Sequence, residues 1–120
     1  MAKILVVEDN ELNLKLFCDL LTIKKHQVIT SQEGHDAFQL AKDQQPDLIL
    51  MDIQLNGISG TDIVHELKAS IDTKSIPVIA VTAFAMKHDE EKIMSEGCDM
   101  YLSKPLSIEQ LFEAIDRYLK

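Results

Sequence analysis

The sequence predicts an α/β fold of five βα units, a doubly wound five-stranded parallel sheet in a single domain over residues 1–120. Three observations predict it. Short β-branched apolar runs alternate five times with amphipathic stretches. Runs such as Ile4-Leu5-Val6-Val7, Leu48-Ile49-Leu50-Met51 and Val78-Ile79-Ala80-Val81 are apolar without interruption, as in parallel strands covered on both faces. The connections are short, and a closed eight-fold barrel needs about twice the length.

The first strand is expected over Lys3 to Val7, before a helix whose apolar stripe is Leu12, Leu16, Phe17, Leu20 and Leu21. The second runs from Gln27 to Thr30, and the helix after it shows Ala37, Phe38 and Ala41. The third runs from Asp47 to Met51, with Ile63, Val64, Leu67 and Ile71 on the next helix. The fourth, Ile76 to Val81, precedes a weakly apolar helix from Met86 to Glu96 that closes at Gly97. The fifth is short, Met100 to Leu102. Its helix begins at a capping box, Ser107-x-x-Gln110, where Leu106 can staple against Leu111 before Phe112, Ile115 and Leu119 continue the stripe.

Composition bounds the function. With 46% hydrophobic residues in 120, the chain can bury a core without disulfides or a structural metal. Cys18 and Cys98 form no C-x-x-C pair and read as small hydrophobes in a reducing, cytoplasmic setting. The start lacks a signal-peptide pattern, and no apolar run is long enough for membrane insertion. A net charge of -8 without a basic stripe argues against nucleic acid as a partner. The last helix runs to the final residues, so no output domain is expected.

In open parallel sheets, sites form at the carboxyl ends of the strands. Glu8 and Asp9 follow the first strand, Asp52 closes the third, Thr82 follows the fourth and Lys104-Pro105 the fifth. A nucleotide phosphate would need a glycine-rich loop after the first strand, where this chain has Glu8-Asp9-Asn10-Glu11. Three close carboxylates repel each other by roughly 1 to 4 kcal/mol per pair. A cation should join them, and hard oxygen donors suit Mg²⁺. Charges of -3 from Glu8, Asp9 and Asp52, +1 from Lys104 and +2 from the metal sum to zero. Phosphorylating Asp52 replaces -1 by about -2, an anion that the metal and Lys104 can hold.

The segments Ile4-Leu5-Val6-Val7-Glu8-Asp9-Asn10, Asp47-Leu48-Ile49-Leu50-Met51-Asp52-Ile53, Gly60, Val81-Thr82-Ala83 and Tyr101-Leu102-Ser103-Lys104-Pro105 resemble, in order, the motifs of the two-component response-regulator receivers. The likeness spans essentially the whole chain. Asp52-Ile53-Gln54-Leu55 and Thr82-Ala83-Phe84-Ala85-Met86-Lys87 look most like single-domain cell-cycle regulators of that family. The resemblance implies a flavodoxin-like fold with strand order 2-1-3-4-5. It implies a stand-alone signalling protein, not an enzyme beyond its own phosphorylation and autodephosphorylation.

By the same resemblance, Asp52 is the phosphoacceptor. Glu8, Asp9, Asp52 and the backbone carbonyl of Gln54 hold Mg²⁺, or Mn²⁺ in its place. Thr82 and Lys104 contact the phosphoryl oxygens. Tyr101, Phe84 and Pro105 belong to a switching partner face, with Tyr101 turning inward, and Phe84 beside Gln54 slows hydrolysis of the aspartyl phosphate. Implied partners are histidine kinases and phosphatases, some of them membrane-bound, or histidine phosphotransfer proteins, and a downstream signalling protein, for a monomer or weak dimer. Many receivers have proline where this chain has Asn56, and Asn56-Gly57 implies a more flexible loop.

Blander readings compete. Glu11 reads as a solvated helix start. His65-Glu66 begins like H-E-x-x-H, but Ala69 stands at the fifth position, so zinc is excluded. His26, His35 and His88 read as surface residues, and Ala83-Phe84-Ala85-Met86 as a partly exposed patch. The rival functions are an aspartyl-nucleophile phosphatase, which the lack of Asp-x-Asp at Asp52 opposes, a phosphate shuttle within a relay, and a receiver that has lost phosphorylation.

Overall fold

The structure is a computed structural model that describes residues 2–55, 58–82, 87–104 and 107–119, without the side chains of 54, 55, 58, 59 and 87–89. The expected Asn56-Gly57 turn, the Ala83-Phe84-Ala85-Met86 patch, Pro105 and the Leu106 staple lie outside the described residues, as do the side chains of Gln54 and His88.

In chain order the elements are β1 (Lys3–Val7), α1 (Glu11–Ile23), β2 (Gln27–Ser31), α2 (Ala37–Gln44), β3 (Leu48–Asp52), β4 (Gln54–Leu55), β5 (Ile58–Ser59), α3 (Gly60–Ala69), β6 (Val78–Thr82), α4 (Lys87–Ser95), β7 (Met100–Ser103) and α5 (Ile108–Leu119). The main sheet is β2-β1-β3-β6-β7, parallel throughout, and its own strands counted alone give 2-1-3-4-5 as expected. The antiparallel pair β4–β5 was not foreseen, each of its strands being two residues long and too short for a periodic signal.

Uninterrupted apolar runs form central strands because successive side chains enter opposite cores. Leu5, Val7, Ile49, Met51, Val78 and Ala80 join Ala37, Ala41, Ile63, Val64, Leu67 and Ile93 on one face. Ile4, Val6, Leu48, Leu50, Ile79 and Val81 meet Phe17, Leu21, Leu111, Ala114 and Ile115 on the other. All five residues of β3 and of β6 are buried.

Two helix expectations need correction. Leu12 and Leu16 do not face the core, being 80% and 53% exposed. Helix α1 carries two overlapping apolar rows, and the core takes Phe17 and Leu21 as expected, with Leu14 and Leu20 packed beside them. Ile71 is 80% exposed because α3 ends at Ala69. Strand ends differ from expectation by one or two residues, which brings Asp52 inside β3. Of the fifth helix's capping box, Gln110 N–H donates to Ser107 Oγ at 3.3 Å.

At the amino-terminal end of β6 and β7, Lys68 Nζ donates to Ile76 O and Asp99 Oδ2, both at 2.9 Å, and to Lys74 O at 3.3 Å. The same Asp99 oxygen accepts Val78 N–H at 2.8 Å, and Tyr118 Oη donates to Asp99 O at 2.9 Å. One ammonium thus joins α3, both strands and, through Asp99, α5.

Candidate functional site

The sheet register brings the polar residues to one level. Val7 pairs with Met51, Asp52 with Val81, and Thr82 with Ser103, so Glu8, Asp52, Thr82 and Lys104 all stand at the carboxyl edge. The Lys104 backbone N–H extends the last ladder by donating to Thr82 O at 2.8 Å.

Carboxylate oxygens of Glu8, Asp9 and Asp52 all lie within 4.8 Å of one another. Glu8 is 1% exposed, Asp52 3% and Thr82 0%, while Asp9 is half-buried. Lys104 Nζ donates to Glu8 Oε1 at 3.2 Å and to Asp52 Oδ2 at 3.4 Å. Glu8 Oε2 accepts the Asn10 N–H at 3.3 Å. The Glu8 carboxyl is pushed up to about 7, first by burial and then by its hydrogen bond to Asp52 and the Asp52 charge, against the Asn10 N–H and Lys104. Burial and the neighbouring Asp52 charge thus hold Glu8 in a state that a divalent cation would relieve, and the all-oxygen donor set of Glu8, Asp9 and Asp52 fits Mg²⁺.

The approach of α3 completes the frame. Gly60 N–H donates to Ile53 O at 3.2 Å, and a Cβ at Gly60 would lie 2.5 Å from Asp52 O and 2.6 Å from Ile53 Cα. Only glycine allows this contact with the backbone of the carboxylate strand.

The sequence matches the response regulator receiver domain over residues 4–116. The chain belongs to the response-regulator receiver family. The polar-differentiation response regulators DivK of Brucella anthropi and Brucella ovis are each 50% identical over 116 residues, 97% of this chain and 94% of theirs. Among solved structures, the receiver domain of the sensor histidine kinase PA1611 from Pseudomonas aeruginosa, with magnesium coordinated in its active-site cleft, has a TM-score of 0.90 at 32% identity, covering 98% of this chain and 96% of its own. The Vibrio cholerae chemotaxis protein CheY4 gives 0.92 at 24% identity over 99% of both chains, a likeness of fold alone. Receivers are phospho-accepting signalling domains of two-component systems, not conventional enzymes. This receiver resembles the single-domain DivK regulators over nearly its whole length.

The receiver's remaining candidates fall in several places. Tyr101 on β7 is half-buried against the core that contains Ile93 and Cys98, and it lines a cavity of about 330 Å³ with Met100, Ser103, Gln110 and Glu113. Gln54 begins β4, two residues after Asp52. His65 is exposed and ion-paired with Glu96 at 3.2 Å, His35 is exposed, and His26 Nδ1 accepts the Ala2 N–H at 3.2 Å. Among the described residues, only Glu8, Asp9 and Asp52 form a group able to hold a metal. Cys98 is buried, and burial pushes its thiol up to about 12, whereas Cys18 is only half-buried, less than expected. No helix among the described residues is long and apolar enough to cross a membrane.

Sequence reasoning treated Asn10 only as part of a motif. It caps α1, with Asn13 N–H donating to Asn10 Oδ1 at 3.0 Å, and its own N–H reaches Glu8. An asparagine just before a helical run was the available signal.

Proposed function

We propose that this receiver is a stand-alone, cytoplasmic response regulator, one domain over residues 1–120, that is phosphorylated on Asp52 and signals by protein binding in cell-cycle control. The observation that carries this is the cluster of Glu8, Asp9 and Asp52 oxygens within 4.8 Å, with the Lys104 ammonium bonded to two of the three carboxylates. Glu8, Asp9, Asp52 and the Gln54 backbone carbonyl hold Mg²⁺, with Mn²⁺ as a substitute. The bound ion supplies charge neutralisation to a site that is otherwise net negative.

The donor is a phosphohistidine of a histidine kinase or phosphotransfer protein. An Asp52 carboxylate oxygen forms a bond to phosphorus as the P–N bond breaks, and the imidazole leaves with that electron pair and takes up a proton. Lys104 lies beside Asp52 and pairs with the added charge, while the Thr82 hydroxyl donates to a phosphoryl oxygen. Tyr101 then reports the loaded state by turning inward toward Thr82, changing the face that also contains Phe84 and Pro105. The likeness to DivK regulators supports the cell-cycle role.

Incubation with acetyl phosphate and Mg²⁺ tests the chemistry. Intact-protein mass should rise by one phosphoryl group in the wild type and stay unchanged in Asp52→Asn. An unmodified wild type would make this a receiver that has lost phosphorylation.

A further inference from the structure

The Glu8 carboxylate is gripped at both oxygens, and the two donors differ in kind. Lys104 Nζ reaches Oε1 from 96 positions away in the sequence, whereas Oε2 takes a neutral N–H from Asn10, two residues on, at 3.3 Å. That N–H is aimed by the start of α1. Asn10 has extended backbone angles, φ -83° and ψ 118°, and its Oδ1 accepts Asn13 N–H at 3.0 Å. Its carbonyl accepts Leu14 N–H at 2.9 Å, so side chain and main chain both fix the residue to the first helical turn.

We infer that Asn10 is a positioning residue of the carboxylate pocket: by capping α1 it holds its own backbone N–H on Glu8 and so fixes how Glu8 faces Asp9 and Asp52. The inference rests on the reading of the pocket as a metal and phosphoryl site. It goes beyond that reading in giving the helix cap a task other than helix stability. A glutamate that is 1% exposed has little water to replace a lost donor, so the lost contact should be felt in metal binding.

Three variants separate the two tasks. Asn10→Ser keeps a capping oxygen and the N–H, Asn10→Ala keeps only the N–H, and Asn10→Pro removes both, at a φ of -83° close to the range proline adopts. For each, the Mg²⁺ concentration giving half-maximal phosphorylation by acetyl phosphate is compared with the rate at saturating Mg²⁺, and stability is measured by urea unfolding. The expected half-saturation is unchanged for Ser, raised about threefold for Ala and about tenfold for Pro, with saturated rates within about twofold of wild type. Equal half-saturation in all folded variants, with only stability altered, would overturn the inference. Should Asn10→Pro not fold, the contrast of Ala against Ser decides it in the same way. A crystal structure of Asn10→Pro, or of Asn10→Ala if Pro does not fold, reads the positioning directly: a turned Glu8 carboxylate supports the inference and an unmoved one refutes it. If the wild type itself neither binds Mg²⁺ nor gains a phosphoryl group, the functional reading fails, and that crystal structure still decides the role of Asn10.

Discussion

Lys104 Nζ stands closer to Glu8 Oε1, at 3.2 Å, than to Asp52 Oδ2, at 3.4 Å. The lysine therefore offsets the most deeply buried acid of the pocket as well as Asp52. Its own side chain is 23% exposed, so water screens part of the interaction.

Replacing Lys104 by Met leaves two buried carboxylates without their cation. The expected loss of stability is on the order of 2 kcal/mol at pH 8. It should be smaller at pH 5, where Glu8 carries a proton. Urea unfolding at the two pH values measures both.

The raised Glu8 carboxyl makes metal-free stability pH-dependent. Its folded value of about 7 exceeds the ordinary 4.5, so between them the folded chain holds a proton that the unfolded chain releases. This group's stabilising contribution is whole below about 4.5 and is lost as pH rises to about 7, by up to about 3 kcal/mol. Glu8→Gln should remove that slope and be the more stable protein at pH 8, as checked by urea unfolding from pH 5 to 8. Because the Mg²⁺ proposed for this pocket would need the ionised Glu8 carboxylate, apparent Mg²⁺ affinity of the wild type should rise through pH 7.

Gly60→Ala places a methyl group against main-chain atoms of Asp52 and Ile53, neither of which can rotate aside. The strain should cost about 2 to 3 kcal/mol and displace the end of β3. Thermal unfolding should show the loss, and phosphorylation by acetyl phosphate should slow even at temperatures where the variant remains folded.

Lys68→Met tests the opposite end of the sheet. It removes three donated hydrogen bonds and leaves Asp99 without its ion pair, an expected loss on the order of 2 kcal/mol by urea unfolding. Mg²⁺ affinity should be unchanged, since none of the pocket carboxylates touches this network.

Much of this was legible in the sequence for a plain reason. Parallel strands buried on two faces need continuous apolar runs, and such runs end where Glu8, Asp52, Thr82 and Lys104 begin. The strand order needed the family likeness, because periodicity states what an element is and not which strand it pairs with. The face of α1 was read too far to one side: Phe17, Leu20 and Leu21 pack on the core as expected, whereas Leu12 and Leu16 fall outside it and Leu14, on the same row as Phe17 and Leu21, was missed. The bond from Lys104 to Glu8 and the Asn10 contact depend on side-chain reach across folded neighbours, which spacing alone does not encode.

The Lys68 and Asp99 fastening has a mechanical consequence. Val78 and Asp99 are pinned to each other and to α3 at one pole of the molecule, so a disturbance at the other pole cannot slide these strands lengthwise. The ladder from the Ile79 and Met100 pair to the Thr82 and Ser103 pair, closed by Lys104 N–H on Thr82 O, ties the same two strands at that other pole as well, so they resist shear as one plate.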